Sequence, residues 1–366
     1  MHPPRHHLIF LAALLSVAGA MAAAPSLANG PVTDCVARDK ARPICTFSNP
    51  EDMVPLPGNQ ALLIGQYGEA GSGHSGGLVV FELENEEVRS VFRGGGQAAA
   101  AESGWGDPAC TTAPTSAFNS HGIDLVRRDD GRLALLVVQH GGREAIEFFE
   151  VLGEGTDWKV EWRGCVAAPA DASLNEVAAL PGGGFYTTKM ASLSGALDLE
   201  SGFPTAPTGH AYAWSAKEGF RVIAGTEGVM PNGIVTSPDG TLIYMNASGE
   251  SSIRKVEVAT GRELGRASVQ TPDNVTWAPD GRLLVASLGN PELEKFAECT
   301  AQTEGACSLP FKIVAVDPVS MTTLGPVYES DGRPMGAGTV GLQVGQELFV
   351  GSFRGDRILR VQLGEE

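Results

Sequence analysis

The sequence predicts an all-β fold, a six-bladed β-propeller with a metal site in its central channel, on three observations. Glu51, Asn175, Asn232 and Asp273 each stand six residues before a proline that opens a turn: Pro57, Pro181, Pro238 and Pro279. Each turn leads into an apolar β-type run such as Leu242-Ile243-Tyr244 or Leu283-Leu284-Val285. No segment sustains a 3.6-residue apolar period between helix caps, so short strands follow one another in evenly spaced groups without helices between them. Radial repetition buries such sheets face to face and leaves only short edges. A β-sandwich is disfavoured by the length of the chain, and a five- or seven-bladed ring differs only in how weak repeats are counted.

The elements follow in chain order. Residues 1–28 read as a cleavable secretory signal: Arg5 in a basic start, an apolar stretch from Leu8 to Ala20, and small residues around Ala20-Met21-Ala22. That stretch is too short to span a bilayer, and no later one is longer. Residues 29–366 share one style of sequence and are expected to form a single domain. Its first unit begins at Glu51-Asp52. The second runs from His121-Gly122-Ile123-Asp124 through a polar turn at residues 127–131 into Leu133-Ala134-Leu135-Leu136-Val137-Val138. Asn175, Asn232 and Asp273 open the third, fourth and fifth, and Leu342 to Leu363 supply the last. Six units of about 55 residues tile the chain. Within several of them a further strand follows, such as Gly77–Leu83, Ala145–Val151, Ser252–Val258 and Lys312–Asp317. Gln97–Ala117 and Met190–Gly209 read as long loops and are expected to wall a pocket.

A formal charge of −17 excludes a nucleic-acid binder, since no clustered Lys or Arg offers a phosphate backbone its counterions. Six cysteines in an exported chain read as disulfides. Fifteen pairings are open in principle. Cys35 with Cys45 and Cys299 with Cys307 would close short loops, leaving Cys110 with Cys165. There is no G-x-S-x-G elbow for a serine hydrolase, and the seven histidines are too scattered for a zinc enzyme.

In a propeller the innermost strand of each blade lines the channel, and equivalent positions of the repeats converge there. Glu51, Asn175, Asn232, Asp273 and the adjacent Asn274 would then bring two carboxylates and three amide oxygens together, the donor set of a hard cation such as Ca²⁺. Any one of these residues alone is an ordinary turn former; the shared offset is what points to a site. His121 occupies the same slot in the second unit, six residues before Arg127, and His140 lies one hairpin away, so a water-activating base with a proton-relay partner is expected. Asn246-Ala247-Ser248 and Asn274-Val275-Thr276 match the glycosylation pattern. A glycan on Asn274 would fill the slot, so that acceptor is discounted, and Asn246 stays open.

The runs His121-Gly122-Ile123, Leu136-Val137-Val138-Gln139-His140, Ser173-Leu174-Asn175-Glu176, Pro231-Asn232-Gly233-Ile234 and Asp273-Asn274-Val275 resemble those of the paraoxonase (arylesterase/lactonase) family. That family sits among the six-bladed propellers of the senescence marker protein/gluconolactonase and strictosidine synthase-like superfamily. The resemblance extends in order over nearly the whole mature chain. It implies a catalytic Ca²⁺ held by Glu51, Asn175, Asn232, Asp273 and Asn274. It also implies a second, structural Ca²⁺ near Asp52, the backbone oxygen of Ile123, and Glu176, where the family usually has a shorter aspartate. His121 and His140 match the family's histidine dyad, with metal-bound carboxylates as rival bases. Lys189–Gly209 lacks the aromatic amphipathic helix with which animal members attach to lipid particles.

The function expected is therefore a secreted or periplasmic, Ca²⁺-dependent hydrolase acting on a small-molecule lactone or aryl ester. Two alternatives stay open: a sugar-acid lactonase of the gluconolactonase type, and a non-enzymatic propeller that binds a ligand or protein with Ca²⁺ as a structural pin. The sequence names neither a physiological substrate nor an oligomeric state.

Overall fold

The computed structural model describes residues 30–68, 76–95, 100–194 and 204–364. The predicted signal, Gln97–Ala99 and residues 195–203 of the second long loop lie outside the described residues. The rest forms six four-stranded antiparallel sheets. Their inner strands are Pro50–Pro55, Ser120–Arg127, Ala172–Ala179, Pro231–Thr236, Pro272–Trp277 and Gly338–Val344. Each inner strand contacts the next, and the sixth contacts the first, so the ring is closed around a channel. We number the blades 1 to 6 in that order.

The sequence pattern follows from this packing. A second strand such as Leu133–Gln139 is covered on both faces by neighbouring blades, so it reads as one apolar run rather than an alternation. The core is divided among the six blade interfaces. Between blades 2 and 3, for example, Phe148 meets Phe185 and Trp214, and the last two rings stack at 5.2 Å. Outer strands such as Glu263–Ser268 and Thr322–Ser330 are polar and half-exposed, which blunts the sheet edges. The first hairpin of every blade turns on a glycine with φ between +60° and +88°: Gly58, Gly131, Gly183, Gly240, Gly281 and Gly345. Only glycine adopts that backbone without strain, which is why turns ending in glycine mark the repeats.

The chain ends close the ring. Blade 6 takes three strands from the C-terminal segment, and its outermost strand is Ala41–Ile44 from the N-terminal side, paired with Ile358–Val361. The sixth unit is therefore shorter than the others, and equal units do not tile the chain. Arg357, with no exposed surface, fastens the segment before the Ala41–Ile44 strand by donating to the carbonyls of Val32 at 2.8 Å and Asp34, and it also donates to the carbonyl of Pro334 at 3.2 Å. The disulfides are Cys35–Cys45, Cys110–Cys165 and Cys299–Cys307.

Two expectations change. An eight-residue helix, Leu293–Thr300, lies between the second and third strands of blade 5. It has no side-chain N-cap and too few turns to show an apolar period, and the Cys299–Cys307 bridge ties its end to the loop that follows. The described part of Gln97–Ala117 is irregular as expected, but much of it covers the outer edge of blade 2. Glu102 and Asp107 donate backbone N–H groups to the carbonyls of Arg163 and Cys165 at 2.7 and 2.9 Å. Cys110 is bridged to the same strand, and Trp105 packs under the guanidinium groups of Arg128 and Arg132, 4.4 and 4.7 Å from its ring.

Candidate active site

All six inner strands break register at the same place. The shifts fall between Pro50 and Asp52, Ser120 and Ile123, Leu174 and Val177, Pro231 and Ile234, Pro272 and Val275, and Gly338 and Val340. Inside these bulges stand Glu51, His121-Gly122, Asn175-Glu176, Asn232-Gly233, Asp273-Asn274 and Thr339. A bulge re-aims a side chain and frees backbone groups from the ladder. Buried side chains take the freed carbonyls: Thr339 Oγ1 donates to Glu51 at 2.7 Å, Thr188 Oγ1 to Asn232 at 2.7 Å, and Asn246 Nδ2 to Asp273. In each case the donor comes from the adjacent blade, so the ring holds each slot from its side. Asn246 has no exposed surface, so the folded chain offers no glycosylation acceptor there. The glycine after His121 has a steric cause, because a Cβ on Gly122 would lie 2.4 Å from the carboxyl group of Glu176.

At the channel end nearest the bulges, the amide side chains turn their N–H groups away and their oxygens inward. Asn274 Nδ2 donates to Glu51 Oε1 at 2.9 Å, Asn232 hydrogen-bonds Asp273, and Asn175 Nδ2 lies 3.9 Å from Met190 Sδ. Among the described residues, four oxygens on the bulges are buried without a partner, Glu51 Oε2 and the Oδ1 atoms of Asn175, Asn232 and Asn274, and Asn246 Oδ1 on the second strand of blade 4 is a fifth. A buried acceptor left unpaired costs about 1–3 kcal/mol, and four of them on bulges of one closed ring are what a positively charged group would satisfy. The carboxyl groups agree. Burial, then the nearby carboxylates of Asp52 and Asp273, hold Glu51 well above the usual range. Burial raises Asp273 to about 7. Among the described residues no three His, Cys, Asp or Glu side chains converge in a way that could hold a metal by themselves. Amide oxygens supply half or more of the donors here, which suits a hard cation and not zinc.

Further along the inner strands lies a second tier of acids. Asp52 accepts the N–H groups of Met53 and Ile123, both at 2.8 Å, and hydrogen-bonds Glu176. Glu176 accepts from Val177 at 2.8 Å. Asp124, which sequence reasoning passed over, accepts from Leu125 at 2.8 Å and Ala179 at 2.7 Å. Burial raises Asp52 to about 7 and Asp124 to about 6, and lifts Glu176 well above its ordinary value with help from Asp52 and Glu51. Ile123 meets this tier through its amide.

The histidines meet as their spacing implied. His121 Nδ1 lies 2.8 Å from His140 Nε2, and His121 Nε2 lies 3.7 Å from Glu51 Oε1. The Tyr67 ring stands 5.1 and 6.1 Å from the two imidazoles. The His121 side chain keeps 19% of its surface exposed against 2% for Glu51, so it is the more accessible of the two. Burial, and then the neighbouring His140, hold its pKa well below 6.5, so it is neutral at pH 7 and keeps one ring-nitrogen lone pair. Sequence reasoning missed Glu144, whose Oε2 is 2.8 Å from His140 Nδ1 and whose Oε1 accepts the Leu174 N–H at 2.6 Å. An acid four residues after a hairpin histidine was its only signal.

Two solved structures share the architecture. A gluconolactonase from Xanthomonas campestris is 17% identical, with a TM-score of 0.52 over 88% of this chain and 90% of that one. A luciferin-regenerating enzyme is 13% identical, with a TM-score of 0.50 over 91% and 95%. At these identities the likeness is one of fold. A search of curated proteins gave no match. Residues 109–360, more than half of the chain, match the arylesterase family. That span includes every bulge but the first and both histidines, and with six blades around an oxygen-lined channel the chain belongs to the arylesterase family of six-bladed propellers.

Proposed function

We propose that this chain is an exported, Ca²⁺-dependent hydrolase of lactones and aryl esters. The observation that carries the reading is the set of four unpartnered buried oxygens beside a neutral, accessible imidazole. Glu51, Asn175, Asn232, Asp273 and Asn274 would hold the ion, with a second one near Asp52 and Glu176. Bound Ca²⁺ would supply Lewis-acid polarisation of the ester carbonyl. His121 Nε2 accepts a proton from water as the water oxygen bonds to the carbonyl carbon. The C–O bond to the leaving group then breaks, and the proton is returned to the departing oxygen, with His140 as relay across the 2.8 Å contact. Three disulfides and the leader-like first 28 residues support export.

The test is hydrolysis by the purified mature protein of γ- and δ-lactones, an acyl-homoserine lactone, gluconolactone and phenyl acetate, before and after chelation and Ca²⁺ restoration. Activity lost to the chelator and regained with Ca²⁺ is the expected result, and the preferred substrate separates apolar lactones from sugar lactones. His121→Gln should lower turnover by ~10²–10⁴-fold while Ca²⁺ still binds. Tight Ca²⁺ binding by an intact protein that hydrolyses none of the panel would overturn the reading in favour of a binding propeller.

A further inference from the structure

We infer that Glu144 is the third member of a directed Glu144–His140–His121 relay, a positioning residue that fixes which ring nitrogen of His121 is free to accept a proton. The inference rests on the reading of His121 as base. It begins with the two oxygens of Glu144, which have different tasks. Oε1 takes the N–H of Leu174, the residue before Asn175, so Glu144 is held against the strand that carries one of the inward-facing amides. Its own carbonyl accepts from Ala168 at 2.9 Å, and the side chain keeps 12% of its surface exposed. The neighbouring cation does not compete for it, since Arg143 pairs with Glu147 at 2.7 Å. Oε2 is left to face His140 Nδ1 at 2.8 Å.

A carboxylate can only accept, so His140 must carry its hydrogen on Nδ1. Its Nε2 then presents a lone pair, and across 2.8 Å the donor has to be His121 Nδ1. The remaining atom, His121 Nε2, is bare, and it is the nitrogen on the side of Glu51. Every hydrogen bond in the chain points toward Glu144. When Nε2 gains a proton, the Nδ1 proton can cross to His140, which places the imidazolium against the Glu144 carboxylate and one ring further from the cation receptor. One proton enters and one shifts, and no other bond changes. The pattern is that of a carboxylate that orients a histidine base, with a second imidazole inserted.

Glu144→Gln tests this with little change of shape. Its amide oxygen can still receive the Leu174 N–H, but its NH₂ then faces His140 Nδ1, forces the hydrogen to Nε2, and passes the reversal to His121. In the full mature protein labelled with ¹⁵N-histidine, two-bond proton–nitrogen correlation should show His140 protonated on Nδ1 in the wild type and on Nε2 in Glu144→Gln. The kcat for the best substrate of the panel should fall ~10²–10⁴-fold, with KM and calorimetric Ca²⁺ affinity little changed. Glu144→Asp, which keeps the acceptor charge, should recover part of kcat. A wild-type His140 protonated on Nε2, or a kcat for Glu144→Gln within about threefold of wild type, would overturn the inference. If Glu144→Gln does not fold, the wild-type tautomer still decides. A wild type that hydrolyses nothing would defeat the esterase reading, and the tautomer would remain a separate result.

Discussion

The two tiers of the channel contain similar chemistry and dispose of it in opposite ways. In the first tier Glu51, Asn175, Asn232 and Asn274 sit on bulges and leave buried oxygens with no partner. In the second tier Asp52, Asp124 and Glu176 each accept a backbone N–H from an inner strand. Oxygen-rich burial alone therefore does not leave a ready-made receptor, and the second ion proposed near Asp52 and Glu176 would have to share their oxygens with these backbone N–H groups. The second tier uses its acids to hold adjacent inner strands together: Asp52 reaches from blade 1 to blade 2, and Asp124 from blade 2 to blade 3. The first tier leaves part of its hydrogen-bonding capacity unspent.

The largest expected effect breaks this contrast from the first tier. Asp273→Ala or Asn232→Ala should remove hydrolysis by more than ~10³-fold through loss of Ca²⁺, read by calorimetry beside the phenyl acetate assay. Undiminished Ca²⁺ affinity in both variants would move the functional ion to the second tier.

An intermediate effect lies in the pH dependence of the metal-free protein. Folding raises Asp52 and Asp273 from 3.8 to about 7 and Asp124 to about 6, and lifts Glu51 and Glu176 well above 4.5. Between pH 4 and 7 these five acids thus hold more protons in the folded chain than in the unfolded one, so their contribution to stability falls as pH rises, by at most about 1.4 kcal/mol per pH unit for each such group, while the lowered His121 acts in the opposite direction. Chelated protein should melt lower at pH 8 than at pH 5, and saturating Ca²⁺ should shrink that difference. A chelated Tm that rises with pH would contradict the placement of these acids.

The smallest effect sharpens the contrast from the other side. Asp124→Asn keeps one acceptor for the two N–H groups now bonded and should cost about 1–3 kcal/mol of stability, seen as a lower Tm, with kcat within about threefold of wild type. A loss of hydrolysis as deep as that of Asp273→Ala would mean that the tiers act as one.

Much of the first tier was legible because a repeat repeats its geometry. The six-residue offset from Glu51, His121, Asn175, Asn232 and Asp273 to the turn is the spacing from bulge to hairpin, and it survives wherever strand length is kept. The bulge itself was not legible, since only pairing with a neighbouring strand shows a register shift. Glu144 escaped because its meaning depends on Leu174, thirty residues away in another blade. Asp124 escaped because its partner Ala179 is a backbone amide, which leaves no side-chain signature. Ala41–Ile44 is four residues long and pairs across almost the whole chain, beyond any local pattern. The path of Gln97–Ala117 is set by blade 2 rather than by its own Ala-, Gly- and Thr-rich composition.

The closure of blade 6 by both ends of the chain has a consequence for timing. Thr339, which secures the Glu51 bulge, belongs to the inner strand of blade 6, and that blade is complete only when Ala41–Ile44 has docked on Ile358–Val361. The Glu51 bulge is therefore secured only once these distant segments have met, so the receptor matures late in folding. On the proposed reading, the ion that fills it would then be selected by the surroundings in which the chain finishes folding and not by those in which it was translated. For a chain that leaves the cytosol unfolded, this would separate the choice of metal from the cytosolic metal supply.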